Sequence, residues 1–160
     1  MIGVLVVDDH PLVRAGLGQL ISSTDDLVVV GSASTGEAAV ALAAELRPDV
    51  VLMDIELPAL DGIGAARAIV EQRPGAVVVM LSTYDDPKRV EAAIDAGVSG
   101  FLSKSISPQA LLACIRIAPH EWVSYVAAGA PTPIVSMRPP LAARAAKQLE
   151  ARALTKEPSA

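Results

Sequence analysis

Aromatic residues are scarce: one Phe, one Trp and two Tyr in 160 residues, namely Phe101, Trp122, Tyr84 and Tyr125. So few rings exclude a base-stacking platform, a carbohydrate-binding surface or an aromatic cage. A single cysteine, Cys114, excludes an internal disulfide framework and a cysteine-based zinc site. Two histidines, His10 and His120, argue against a multi-histidine metal centre. No apolar run approaches the roughly 20 residues that span a bilayer. Met1-Ile2-Gly3-Val4 also lacks the basic start of a signal peptide. The expectation is a soluble, cytoplasmic chain with no membrane partner. What the sequence does have is core material, with 52% hydrophobic and 19% charged residues, which excludes wholesale disorder.

Charge and proline divide the chain near residue 118. Residues 1–118 carry 8 basic and 15 acidic side chains, whereas 119–160 carry 5 and 3. Six of the 12 prolines fall in those last 42 residues. The expected organisation is a folded domain over 1–118 and a linker over 119–160. A short helix is expected over 141–153, where Leu141, Ala145, Leu149 and Ala153 recur every fourth residue. A domain of net charge −7 is a poor partner for a phosphate backbone.

Within 1–118, apolar runs alternate with helical patterns. Strands are predicted over Ile2–Val7, Leu27–Ser32, Val50–Asp54, Ala76–Leu81 and Ser99–Leu102. Val4-Leu5-Val6-Val7, Val50-Val51-Leu52-Met53 and Val77-Val78-Val79-Met80 are apolar throughout, and strands apolar on both sides belong inside a parallel sheet. Helices are predicted over Pro11–Ser22, Ser34–Leu46, Gly62–Gln72, Pro87–Ala96 and Pro108–Ala118. Ser34 and Glu37 have capping-box spacing, and Gly97 is a stop signal. Five βα units predict an α/β fold: a doubly wound, five-stranded parallel sheet. In such sheets chemistry gathers beyond the carboxyl ends of the strands, where strand order reverses.

The strand ends are rich in chemistry. The first ends in Asp8-Asp9, the third in Asp54 and the fourth in Ser82-Thr83, while Lys104 follows the fifth. Three converging carboxylates repel unless a cation or solvent intervenes. An all-oxygen set with room for water and phosphate suits Mg2+. Asp54, nearest the middle of the sheet, is then a candidate nucleophile, with Lys104 and Ser82 contacting the oxygens of an attached phosphoryl group.

These residues resemble the receiver domain of bacterial two-component response regulators. The matching features are Asp8-Asp9, the run Asp54-Ile55-Glu56-Leu57-Pro58-Ala59-Leu60-Asp61-Gly62, Leu81-Ser82, and Gly100-Phe101-Leu102-Ser103-Lys104. The opening Val6-Val7-Asp8-Asp9-His10-Pro11-Leu12-Val13-Arg14-Ala15-Gly16 is similar to the LuxR/NarL-type subgroup. The resemblance covers about residues 1–118 and implies a flavodoxin-like (βα)5 fold of strand order 2-1-3-4-5.

It also implies roles. Asp54 would accept a phosphoryl group from a sensor histidine kinase. Asp9, Asp54 and the backbone carbonyl of Glu56 would ligate Mg2+, with Asp8 acting through a bound water. Ser82 and Lys104 would hold phosphoryl oxygens, and Phe101 would turn inward as Ser82 moves. The output would be a transcription regulator whose DNA-binding domain is not in this chain, with homodimerisation as a further partner expectation. The alternatives are a stand-alone receiver that works by protein contact or as a phosphate sink, and a receiver not controlled by phosphorylation. An enzyme is not expected: a haloacid-dehalogenase-type hydrolase needs a second Asp where Glu56 stands, and a cap segment.

The sequence departs from the family pattern in three places. Ser105 follows Lys104 where many receivers have a proline and a cis peptide, so that geometry is left open. Phe101 stands where tyrosine is common, and Glu56 and Tyr84 occupy positions that tune phosphate lifetime. His10 reads as structural or solvent-facing, and Cys114 as a buried apolar thiol.

Overall fold

Strands that are apolar on both faces need cover on both faces, and the helices supply it. The computed structural model describes residues 1–83, 86–121 and 123–125. The expected helix over 141–153, Tyr84 and Trp122 lie outside them. The elements are β1 (Ile2–Val7), α1 (Pro11–Ser22), β2 (Leu27–Ala33), α2 (Gly36–Leu46), β3 (Val50–Asp54) and α3 (Gly62–Gln72). They continue with β4 (Val78–Ser82), α4 (Pro87–Ala96), β5 (Gly100–Ser103), α5 (Pro108–Ile117) and β6 (Val123–Tyr125). All strand pairs are parallel and the sheet order is β2-β1-β3-β4-β5-β6.

The five expected strands run in the expected order, and the sheet carries one strand more. Val123–Tyr125 pairs with Gly100–Leu102 along the open edge of β5. The sequence reading placed these residues in the linker, because three residues are too few for a periodic signal. Several other boundaries moved by one or two residues, among them the starts of β4 and α2. Ala76 lies before β4, its N–H held by the Arg73 carbonyl at 2.8 Å in a turn. Thr35, not Ser34, caps α2: its backbone is extended (φ −135, ψ 157) and its side chain accepts from the Ala38 N–H at 3.1 Å. Glu37 does not close a capping box; its Oε1 accepts from the Leu60 N–H at 3.3 Å instead.

Alternate residues of each inner strand pack to opposite sides. Leu5, Val7, Val51, Met53, Val78, Met80 and Phe101 join Ala39, Ala65, Ile69 and Ala93 from α2, α3 and α4. Val4, Val6, Val50, Leu52, Val79, Leu81 and Leu102 join Ile21 of α1 and Leu111 and Ile115 of α5. Each fully buried aliphatic side chain contributes roughly 1.5–3 kcal/mol. Two apolar layers thus hold the sheet rigid, and the ends of its strands are fixed in relation to one another. β1 and β3 are neighbours whose connections leave in opposite directions, so a crevice opens at their carboxyl ends.

Candidate functional site

The residues just past β1, at the end of β3 and after β5 meet at that crevice. Asp8 is fully buried and Asp54 is 2% exposed, while Asp9 lies at the surface. Lys104 Nζ reaches both buried carboxylates, at 2.9 Å from Asp8 Oδ2 and 3.2 Å from Asp54 Oδ2. The Lys104 backbone N–H donates to the Ser82 carbonyl at 2.8 Å, which ties the fifth strand end to the fourth. No described peptide bond is cis, so Lys104–Ser105 is trans. Ser105 is held by Ser103, Oγ to Oγ at 2.8 Å.

Each carboxylate has a distinct electrostatic setting. Burial pushes the Asp8 carboxyl up, but the His10 backbone N–H and Lys104 outweigh it and leave it below its ordinary value. Asp54 is raised, first by burial and then by the charge of Asp8, against the pull of Lys104. Burial works to lower Lys104, but the hydrogen bond to Asp8 and the two carboxylate charges raise it and keep it ionised. Asp54 Oδ1 accepts from the Glu56 N–H at 3.2 Å. Asp54 Oδ2 is buried and accepts no hydrogen bond: the ammonium nearby is an ion pair without hydrogen-bond direction.

The remaining expected residues are close by. Ser82 and Phe101 are buried at 2% and 4% exposure, Ser82 ending β4 and Phe101 turned into the apolar layer beneath α3 and α4. The Glu56 side chain pairs with Arg89 of α4, Oε1 to Nη1 at 2.9 Å. Gly62, the first residue of α3, is required by close approach. A Cβ there would stand 2.0 Å from the Asp54 carbonyl oxygen.

Two residues were not read from the sequence as part of this site. His10 Nδ1 lies 3.1 Å from Asp8 Oδ1 and 3.0 Å from Asp9 Oδ1. Ligating atoms of Asp8, Asp9, His10 and Asp54 all fall within 4.8 Å of one another. Arg14 Nη1 donates to the Asp8 carbonyl at 2.6 Å, anchoring the acidic loop to α1. The available signal was position alone, directly after Asp8-Asp9 and one helical turn further on. The donor set fits a divalent cation, because three carboxylates converge and one buried oxygen lacks a hydrogen bond.

A family model described as the response regulator receiver domain matches residues 4–116. The chain belongs to that family. It is 38% identical over 116 residues to the response regulator GacA of Pseudomonas aeruginosa, covering 72% of this chain and 54% of that protein. The receiver domain of a putative response regulator NarL from Mycobacterium tuberculosis is 35% identical, with a TM-score of 0.67 over 72% of this chain and 96% of that one. A LuxR-family two-component response regulator from Aurantimonas has a TM-score of 0.73 at 29% identity, over 94% and 99% of the two chains. The receiver is of the LuxR/NarL type, a signalling domain whose relatives include transcription regulators. The chain spans about half the length of the curated relatives it matches. Among the described residues, no helix is long and apolar enough to cross a membrane.

Proposed function

We propose that this receiver is a phosphorylation-controlled switch in which Asp54 accepts a phosphoryl group from a phosphohistidine of a sensor histidine kinase. The observation that carries the reading is Asp54 Oδ2: buried, without a hydrogen bond, and 3.2 Å from the Lys104 ammonium. In transfer, Oδ2 forms a bond to phosphorus while the bond to the donor nitrogen breaks, its electron pair staying with the imidazole, which takes up a proton. Asp9 and Asp54 would hold Mg2+, with the Glu56 carbonyl as a further ligand. When bound, Mg2+ supplies charge neutralisation for the incoming phosphoryl oxygens.

Asp8 is already engaged at both oxygens, by His10 and Lys104, and that supports a role in holding Lys104 rather than the ion directly. Lys104 is placed to exchange a carboxylate contact for a phosphoryl oxygen, and Ser82 to donate its hydroxyl to another. The modified side chain carries nearly two charges, so Lys104 and Ser82 are drawn inward with the loops after β5 and β4. Phe101, already buried in the apolar layer under α3 and α4, would transmit that shift to the α4–β5–α5 face. The output we propose is a transcription regulator, with DNA contacts made outside the receiver domain.

The test is intact-mass analysis after incubation with phosphoramidate and Mg2+. The wild type gains one phosphoryl group and Asp54→Asn gains none. Equal labelling of both overturns the assignment.

A further inference from the structure

The strand that exceeds the expected five lies against the element that Lys104 follows. β6 pairs in parallel with β5, Val123 opposite Gly100, Ser124 opposite Phe101 and Tyr125 opposite Leu102. Three of the four β5 residues are covered in this way. On the other side of β5, Met80 of β4 is the partner of Phe101, so Met80, Phe101 and Ser124 form one row across three strands. A built turn leads the chain out of α5. The Ile117 carbonyl accepts from the His120 N–H at 2.8 Å and from the Glu121 N–H at 2.9 Å, and Ala118, 1% exposed, is buried in the apolar layer of α1 and α5.

β6 is weakly held. A three-residue edge strand makes few ladder bonds, and the net gain of each is of the same order as the cost of ordering the residue that makes it. Such a strand belongs to the low-stability end of a fold, where a small displacement of its support changes its population. That displacement has a source and a direction. Lys104 follows Ser103, the last residue of β5, and its Nζ stands 3.2 Å from Asp54 Oδ2 of β3. The sheet order β3-β4-β5-β6 puts Asp54 and β6 on opposite sides of β5. A pull on Lys104 toward a phosphoryl group at Asp54 therefore draws the end of β5 away from β6. An edge without β6 presents unpaired N–H and C=O groups, which is a template for strand addition.

We propose that β6 is a clasp governed by the phosphoacceptor. It closes the β5 edge while Asp54 is unmodified. It comes off when a phosphoryl group on Asp54 draws Lys104 and β5 inward, and the β5 edge is then bare. The proposal deepens the phosphoacceptor reading and rests on it. Coupling between two equilibria is reciprocal, so whatever removes β6 also favours the phosphorylated form.

The experiment uses the full chain, with beryllofluoride and Mg2+ as the phosphoryl mimic. The Ser99 N–H donates to the Val78 carbonyl of β4, and backbone groups alternate sides along a strand, so the Gly100 and Leu102 amides face β6 while Phe101 faces β4. Hydrogen exchange followed by NMR should quicken about threefold or more at Gly100 and Leu102 when the mimic binds, with Phe101 unchanged. Ser124→Pro removes a strand N–H and fixes φ. It should exchange fast at both amides without the mimic, and bind the mimic about threefold more tightly in calorimetric titration. Ser124→Ala keeps the backbone and should match the wild type in both measurements. Unchanged exchange in a protein that binds the mimic through Asp54, or equal affinities in the wild type and Ser124→Pro, overturns the clasp and leaves the phosphoacceptor reading standing. Equal binding of the mimic by the wild type and Asp54→Asn defeats that reading, and control of the clasp falls with it.

Discussion

Lys104 Nζ stands 2.9 Å from Asp8 Oδ2, joining the ends of β5 and β1 across the two strands between them. Asp8 has no exposed surface, so solvent cannot replace that ammonium. The pair is therefore part of the fold as well as part of the site. Breaking a buried pair from one side leaves an uncompensated charge, and here a second buried carboxylate, Asp54, stands against it.

Lys104→Ala is accordingly expected to cost about 3 kcal/mol in metal-free buffer. A divalent cation offers the acids another counter-charge, so Mg2+ should recover much of the loss in the variant. Urea unfolding with EDTA and with Mg2+ measures both effects. A variant with an unchanged midpoint in EDTA would show that the two carboxylates do not depend on Lys104.

Three glycines should respond to alanine with opposite signs. At Gly62 a Cβ meets backbone, 2.0 Å from the Asp54 carbonyl oxygen, and no rotamer change relieves it. Gly62→Ala should lose about 3 kcal/mol and slow labelling of Asp54. Gly16 and Gly18 of α1 have nothing within 4 Å of the added atom. Each should gain up to about 1 kcal/mol from the better helix propensity of alanine. Thermal unfolding of the three variants decides it, and a stable Gly62→Ala would mean that the start of α3 can shift away from Asp54.

The sheet was legible because its inner strands are apolar on both sides, and the acids were legible because they end strands. Asp8, Asp9, Asp54, Ser82 and Lys104 sit where alternation of strand and helix put them. What was hidden depends on contacts between distant segments. Nothing local marks His10 as approaching the acids while its ring stays largely in solvent, since its position is set by its N–H bond to Asp8 and by Pro11. Thr35 displaced Ser34 as the cap because α2 begins one residue later than the spacing with Glu37 suggested. Ala59 adopts a left-handed backbone (φ 60) with no glycine to announce it. β6 is three residues long and forms on an edge that only the finished sheet provides.

Far from the crevice, Arg116 of α5 grips Asp26 at the start of β2 through two bonds, of 2.6 and 2.9 Å. The hydrogen bonds from Arg116 hold the Asp26 carboxyl down to about 2 from 3.8. A depressed folded pKa gives stability that is present above the unfolded value and lost as pH falls through the folded one. The window is therefore between about 4 and about 2. Carboxyl-carbon NMR should place the Asp26 midpoint near 2 in the wild type and return it toward 3.8 in Arg116→Ala. High salt should weaken the shift, because both groups are solvent-exposed. Coincident titrations in the two proteins would sink the account.

Asp54 has the opposite sign. Its folded pKa lies above 3.8, through burial first and the Asp8 charge second. Between the unfolded and folded values the native state holds more protons, so stability falls as pH rises through that window and stays lower above it. Asp54→Asn removes this penalty while keeping the shape of the side chain. In EDTA at neutral pH the variant should unfold at a higher temperature than the wild type, and the gap should shrink as pH is lowered toward 4. Mg2+ should also narrow the gap, because binding to the native state stabilises the protein that keeps the full ligand set. Scanning fluorimetry at the two pH values, with and without Mg2+, reads all four conditions. A variant less stable than the wild type in EDTA at neutral pH would mean that Lys104 stabilises the Asp54 charge more than burial and Asp8 oppose it. Asp54 would then be a structural ion-pair partner, with no excess charge held ready for a cation and a phosphoryl group.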